Sequence, residues 1–230
     1  MKVFTFWEGI MPDYVKMCID TWKCDFEILN YWNLKKFTDL KVDDKLRRFT
    51  LPQQADVIRV HLLRDNGGYW LDADTIMVED ELPKENIAGD PVLRTNSIGY
   101  LHAEAAGSDM FTKWAAYQDK CLDDENCSHS WDIMGNVFTN DYVKEHPEIT
   151  IRDIKDFMPE LRMIQADIPR NDKYENFYFK ETHYLSDIAP AEIIMLHNSW
   201  TPTPFRKADK MEIMRGSCTL SNILRRLARP

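Results

Sequence analysis

Asp72 and Asp74 stand one residue apart where a short apolar run, Gly68-Tyr69-Trp70-Leu71, gives out. A second apolar stretch, Thr75-Ile76-Met77-Val78, follows them. In an extended backbone, residues i and i+2 point to the same side, so the two carboxylates would converge. Two anions held that close repel unless a positive charge sits between them. A hard divalent cation with oxygen ligands satisfies both. The alternative without chemistry is a solvated Asp-x-Asp turn. Placement favours the cation, because ligands of α/β folds gather at the carboxyl ends of strands.

The element that must position this pair lies just upstream. Ala55, Ile58, Leu62 and Leu63 recur at helical spacing and give one apolar face. Pro52 suits the first helical position and Gly67 the residue after the helix end. Asp56 and Arg59, three residues apart, then share a neighbouring face. An exposed pair of this kind contributes little to stability. Near the C-terminus a further apolar run, Ile193 to Leu196, ends in His197-Asn198-Ser199-Trp200. A histidine there is either a metal ligand or an ordinary capped residue.

Two enzyme chemistries use an apolar strand ending in Asp-x-Asp. In the haloacid-dehalogenase type of phosphatase the first Asp is a nucleophile, and Thr75 would complete Asp-x-Asp-x-Thr. That motif normally ends the first strand of its domain, whereas more than sixty patterned residues precede Asp72. The second chemistry is nucleotide-sugar-dependent glycosyl transfer. The string Ala55-Asp56-x-x-Arg59, then Leu62-Leu63, then Asn66-Gly67-Gly68-Tyr69-Trp70-Leu71-Asp72-Ala73-Asp74 resembles the signature block of the DXD sugar-transfer family. That group includes capsular-polysaccharide glycosyltransferases, initiating mannosyltransferases and, more distantly, the glucosylating clostridial toxins. Val3-Phe4-Thr5-Phe6-Trp7 is similar to the family's first strand, and His197-Asn198-Ser199-Trp200 to its "His-x-x-x-Ser-Trp" strand end in compressed form. Met134-Gly135-Asn136 resembles its "Thr-Gly-Pro" turn, with Gly-Asn in place of Gly-Pro.

The resemblance implies an α/β fold of the GT-A nucleotide-diphospho-sugar transferase type, with a mixed, mostly parallel central sheet flanked by helices. It implies Mn2+ (or Mg2+) held by Asp72, Asp74 and His197, with Asp74 a direct ligand that also serves catalysis and Asp72 reaching the metal, the ribose hydroxyls or both. Asp56 and Arg59 are expected to contact ribose and donor sugar, Ser199 and Trp200 the diphosphate. Trp7 would either stack on the base or belong to the core, and Trp70 faces either core or nucleotide. Asp132 is the candidate acceptor-side carboxylate, and an N-terminal helix residue explains it equally well. Asp141, Asp167, Asp172 and Asp187 have no spacing that singles one out. Late basic residues, Arg206 and Lys207, either neutralise phosphate or are simply solvated. The implied reaction is hexosyl transfer from a nucleoside diphosphate sugar, UDP in preference to GDP, with retention. Its acceptor would be a hydroxyl of a saccharide, lipid-linked or protein-linked glycan. A catalytically silent nucleotide-sugar-binding protein is a further alternative.

Composition agrees with a compact domain. A hydrophobic content of 44% and aromatic content of 12% exclude a disordered chain. At 230 residues one domain is expected, with a nucleotide-sugar half over 1–105 and an acceptor half over 106–230. A net charge of −9 argues against nucleic-acid binding. No apolar run approaches the ~20 residues that cross a bilayer, and the first residues lack a secretory pattern. The scattered set Cys18, Cys24, Cys121, Cys127 and Cys218 reads as reduced thiols of a cytoplasmic protein.

Patterning predicts strands at 2–6 and 26–31 and helices over 12–24 and up to Asn66. Strands at 91–95 and 98–102, helices at 108–121 and 130–143, and loops with short strands over 147–190 are expected next. A final amphipathic helix over 217–228 would offer Arg225, Arg226 and Arg229 to an anionic membrane face, or to solvent.

Overall fold

The computed structural model describes residues 1–162, 169–188 and 191–227. Asp167 and Arg229 lie outside them. In chain order the strands are β1 (Val3–Phe6), β2 (Phe26–Leu29), β3 (Gly68–Leu71), β4 (Thr75–Met77), β5 (Ile87–Asp90), β6 (Thr95–Ala103), β7 (Ile151–Asp153) and β8 (Ile193–Met195). The chain divides into two compact units, each assembled from separate stretches. Unit 1 comprises Met1–Glu8, Asp25–Asp72 and Lys84–Ile154; unit 2 comprises Gly9–Cys24, Ala73–Pro83 and Lys155–Pro230. The halves expected at 1–105 and 106–230 do not follow this division, whose boundary falls inside the Asp72-Ala73-Asp74 motif.

Unit 1 is built on a six-stranded sheet in the order β2-β1-β3-β6-β5-β7. β1 is parallel to β2 and β3, and β7 is parallel to β5. β6 runs antiparallel to both β3 and β5. The sheet is therefore mixed and mostly parallel, and the α/β class expected from sequence is the class adopted. Every residue of β1 and β3 is buried, so their apolar runs read as central strands covered on both faces. The Leu51–Asn66 helix packs against β1, β3, β6 and the Asp109–Asp123 helix. Its start is fixed where the Thr50 N–H donates to Gln53 Oε1 at 3.1 Å, which places Pro52 second rather than first in the helix. Ile58, Leu62, Leu63, Trp70, Leu101, Phe111 and Trp114 form the centre of the core.

The Gly67-Gly68 pair has a double reason to be glycine. Both residues have positive φ, +67° and +91°. A Cβ on Gly68 would also stand 2.4 Å from the Lys2 carbonyl oxygen, and one on Gly67 2.8 Å from the Ala105 carbonyl carbon. This reversal lets β3 enter the sheet directly between β1 and β6.

Three expectations are corrected in unit 1. The return pair is β5 with β6, Ile87–Asp90 against Thr95–Ala103, rather than 91–95 with 98–102. The Asp90 carboxylate accepts from the Val92 and Leu93 amides (2.8 and 2.9 Å), so residues 91–94 are turn instead of strand. The helix expected from residue 130 begins only at Asn136, because residues 131–135 form turns.

Unit 2 joins the antiparallel pair β4–β8 to several short helices. Trp22 donates its indole N–H to the Thr75 carbonyl (2.7 Å), and the Met77 amide donates to Thr21 Oγ1 (2.8 Å), tying the first helix, Asp13–Ile19, and its exit to β4. Of the stretch expected as loops with short strands over 147–190, the short strand β7 is present, but among its described residues helices replace much of the expected loop. It holds helices at Ile154–Phe157, Arg170–Glu175 and Leu185–Ile188, with a π-helical turn at Asn176–Lys180. Buried Phe157, Tyr174, Phe177 and Tyr178 supply its apolar anchors. The last helix, Thr219–Leu227, buries Leu220, Ile223 and Leu224 within the unit, and Arg225 Nε donates to the Met214 carbonyl (2.9 Å). Its apolar face is thus packed within unit 2. Among the described residues no helix is long and apolar enough to cross a membrane.

Candidate active site

In unit 1 the motif residues converge on one guanidinium. The Leu51–Asn66 helix turns Asp56 and Arg59 toward the sheet, where both are buried (8% and 5% exposed) instead of forming a surface pair. Arg59 Nη2 lies 3.0 Å from Asp56 Oδ1 and 3.2 Å from Asp72 Oδ1. Nη1 donates to the Ile98 carbonyl, and the guanidinium carbon sits 5.0 Å above the Trp70 ring. Trp70 is a core residue, 1% exposed, whose indole N–H donates to Asp72 Oδ1 at 2.9 Å. It therefore supports Asp72 from beneath.

Asp72 follows β3, and its side chain remains 40% exposed although Oδ1 is ion-paired with Arg59 and accepts from Trp70. Burial pushes the Asp56 carboxyl up to about 7, against the pull of Arg59 and with a further push from the Asp72 charge. Two carboxyl groups thus share one cation. The turn before Asn136 closes over this cluster: a Cβ on Gly135 would meet Ile98 Cδ1 at 2.4 Å and Asp56 Oδ2 at 3.7 Å. Asp132 lies exposed in that turn, where its carbonyl accepts from the Gly135 and Val137 amides (3.0 and 3.2 Å). Trp7 ends β1, half-buried, with its amide donating to the Leu29 carbonyl (2.8 Å). Its indole Nε1 is buried with no hydrogen-bond partner among the described residues.

In unit 2 the register Thr75↔Met195 sets the residues before β4 beside those after β8. Ala73 and Asp74 are in a turn, so the extended-strand premise behind the Asp-x-Asp pair does not describe this backbone. Asp74 is 7% exposed, and its Oδ2 accepts from the Asn198 amide at 2.7 Å. Tyr14 donates its hydroxyl to Asn198 Oδ1. The His197 amide donates to the Tyr174 hydroxyl (3.1 Å), and its carbonyl accepts from the Trp200 and Thr201 amides (3.0 Å each). The imidazole packs on Trp200 with ring centroids 4.1 Å apart. Burial drives its pKa down to about 4, with the Arg170 charge acting the same way. His197 Nε2 is buried and has no hydrogen-bond partner among the described residues. Ser199 is exposed in the following turn.

A neutral imidazole with an unpartnered buried nitrogen, one residue from the amide that binds Asp74, fits a metal ligand pair. Among the described residues, however, no three His, Cys, Asp or Glu side chains gather at metal-ligand spacing, the expected Asp72, Asp74 and His197 included.

Sequence reasoning missed Arg170, whose guanidinium carbon is 5.6 Å from the Trp200 ring centre. It also missed Tyr14, Asn198, Tyr174 and Glu160. Tyr14 reads as an ordinary position of the first helix, Tyr174 falls in the stretch expected as loops with short strands, and no spacing ties either to residue 198. Glu160 is fully buried; its Oε2 accepts from the Tyr178 hydroxyl at 3.1 Å, while Oε1 has no partner among the described residues. Burial pushes this carboxyl up to about 7, with Tyr178 and Arg170 opposing.

That value lies above the ordinary 4.5, so the folded protein keeps a proton that the unfolded chain releases between those two pH values. Stability therefore drains as pH rises through that window. Glu160→Gln should gain about 2–3 kcal/mol relative to the wild type between pH 4 and 8. Urea unfolding at the two pH values measures it, and parallel curves would exclude a buried neutral carboxyl.

Residues 1–147 match the family described as capsular polysaccharide synthesis protein. Among solved structures the chain is similar to PaToxG glycosyltransferase, with 18% identity and a TM-score of 0.42 over 64% of this chain and 68% of that one. No curated protein sequence matches at a significant level. The matched residues cover well over half of the chain and include Trp7, Asp56, Arg59, Trp70, Asp72, Asp74 and Asp132. The chain belongs to the capsular polysaccharide synthesis protein family.

Proposed function

We propose that the protein is a metal-dependent glycosyltransferase of GT-A type that moves a hexosyl group from a nucleoside diphosphate sugar, UDP preferred, to a saccharide hydroxyl. The observation that carries this reading is the convergence of Asp56, Arg59 and Asp72 on one partly open point at the end of β3. Four positions of a twenty-residue string (Asp56, Arg59, Trp70 and Asp72) meet there, which a solvated turn would not require.

In this reading the exposed side of Asp72 and the Arg59 cluster receive the ribose and donor-sugar hydroxyls. Arg59 serves by holding two carboxyl groups in fixed orientation, so that little reorganisation accompanies binding. Trp7 stacks on the base. Asp74 and the neutral His197 would hold Mn2+ (or Mg2+). When bound, such an ion neutralises charge that develops on the leaving diphosphate. Trp200 offers its indole N–H, Ser199 its hydroxyl and Arg170 its charge to phosphate oxygens. Asp132 faces the acceptor. With no base singled out among the acids, the departing phosphate takes the acceptor proton, which corresponds to retention. For a phosphatase, Asp72 would have to attack with a carboxylate whose Oδ1 is already ion-paired with Arg59 and accepts from the Trp70 indole N–H.

A thermal-shift panel of UDP-, GDP- and dTDP-sugars with and without Mn2+ tests the assignment, since ligand binding to the folded state raises apparent stability. The largest shift is expected for a UDP-sugar with Mn2+. No shift with any donor would remove the proposal.

A further inference from the structure

We infer that Trp131 is a stacking platform for a pyranose ring of the acceptor saccharide, with Asp132 beside it to receive the sugar's hydroxyls. This deepens the transferase reading and rests on it for the word acceptor, although saccharide binding itself is measurable separately.

Among the tryptophans of unit 1, Trp70 and Trp114 are 1% and 0% exposed, whereas Trp32 and Trp131 are 85% and 70% exposed. A single exposed indole on a loose loop would mean little. The Trp131 segment, however, is pinned on both sides. The Ser130 carbonyl accepts from Gln53 Nε2 (3.0 Å) and from the Ile133 amide (3.2 Å). The Asp132 carbonyl accepts from the Gly135 and Val137 amides. The Met134 carbonyl accepts from Trp114 Nε1 (3.0 Å) and Gln118 Nε2 (2.6 Å), and the His129 ring packs on Phe49 at 4.9 Å. The backbone flanking the indole is therefore built into unit 1 while the indole stays outside it.

This segment is fastened to the donor cluster. Gln53 lies one turn before Asp56 on the same helix, Gln118 Nε2 also donates to the Asp56 carbonyl (3.0 Å), and Gly135 abuts the Asp56 carboxyl. Whatever stacks on Trp131 is thus held by the same scaffold that orients Asp56, Arg59 and Asp72. Fixing an aromatic ring before binding removes ordering cost from the complex.

The surroundings decide the class of occupant. The flanking residues Ser128, His129, Ser130 and Asp132 are all exposed and polar. A protein or membrane partner wants a contiguous apolar patch, which one indole in a polar setting does not provide. A pyranose suits it: one face of the ring is C–H and lies flat on an aromatic, while the hydroxyls at the edge seek hydrogen-bond acceptors. Trp131 and Asp132 offer that pair.

Saturation-transfer NMR with maltotriose, cellotriose and chitotriose tests this on the intact chain. Wild-type protein should saturate ring C–H protons of at least one trisaccharide. Trp131→Ala should weaken that binding roughly tenfold, and Trp131→Phe, which keeps a stacking face, should restore most of it. Thermal shifts with UDP-sugar and Mn2+ should be unchanged in Trp131→Ala, showing that its fold and donor side are intact. Equal saturation in wild type and Trp131→Ala overturns the inference, as does the absence of saturation of any of the three by wild type. A change from dimer to monomer on sedimentation of Trp131→Ala would also overturn it by assigning the indole to an interface. Failure of nucleotide-sugar binding with saccharide binding intact would instead remove the transferase reading and leave a saccharide site.

Discussion

Asp74→Asn is expected to lower Mn2+-dependent UDP affinity at least ~100-fold while leaving the protein folded. The carboxylate is 7% exposed and its Oδ2 accepts from the Asn198 amide. An asparagine carbonyl oxygen can accept that same hydrogen bond, so the structural cost should stay near ~1 kcal/mol. The negative charge is what the substitution removes. In the proposed site that charge, together with the neutral imidazole of His197, holds the cation that meets the diphosphate. Titration of UDP with and without Mn2+ separates the two effects, because metal-independent binding to the nucleoside side should change little. Circular dichroism before each titration checks folding. Unchanged UDP affinity in the presence of Mn2+ would remove Asp74 from the site.

Arg59→Ala should destabilise the protein by about 3–5 kcal/mol, the cost of leaving a buried ionisable group without its partner. Arg59 is enclosed by Asp56, Asp72, the Ile98 carbonyl and the Trp70 ring. Its loss leaves the Asp56 carboxyl, already raised to about 7, with no opposing charge. That group then folds protonated at neutral pH. The pairings should not be equal in weight. Asp56 is buried, whereas the Asp72 side chain is 40% exposed and screened by solvent. Double-mutant cycles in urea should therefore give a larger coupling for Arg59 with Asp56 than with Asp72. A cost below ~1 kcal/mol for Arg59→Ala would contradict the buried cluster.

How much of this could be read beforehand depended on whether the signal was local. The Leu51–Asn66 helix, the glycine pair and β3 were legible because cap, period and turn residues all lie within one short string. The grouping of Asp56 and Arg59 with Asp72 followed from the family block, and their burial did not, since an i,i+3 ion pair has the same spacing on a surface. The convergence of Asp72 and Asp74 presumes an extended backbone, and the chain turns there instead. The motif is also divided between units 1 and 2, which no nearby residue announces. β5 was hidden because Ile87 follows a charged run, and only pairing with β6 and β7 makes it a strand. The helices between residues 154 and 188 are short and dense in Asp, Asn and Pro, so aromatic anchoring rather than propensity holds them. Asn198 and Tyr14, which brace the Asp74 turn, lie 184 residues apart in sequence.

Release of nucleoside diphosphate from UDP-, GDP- and dTDP-sugars, followed with and without Mn2+, bears most directly on sugar transfer. Turnover that requires the metal and is fastest with a UDP-sugar is the expected result. A stable phosphoryl or fluoroberyllate adduct trapped on Asp72, with every nucleotide sugar left intact, would contradict it.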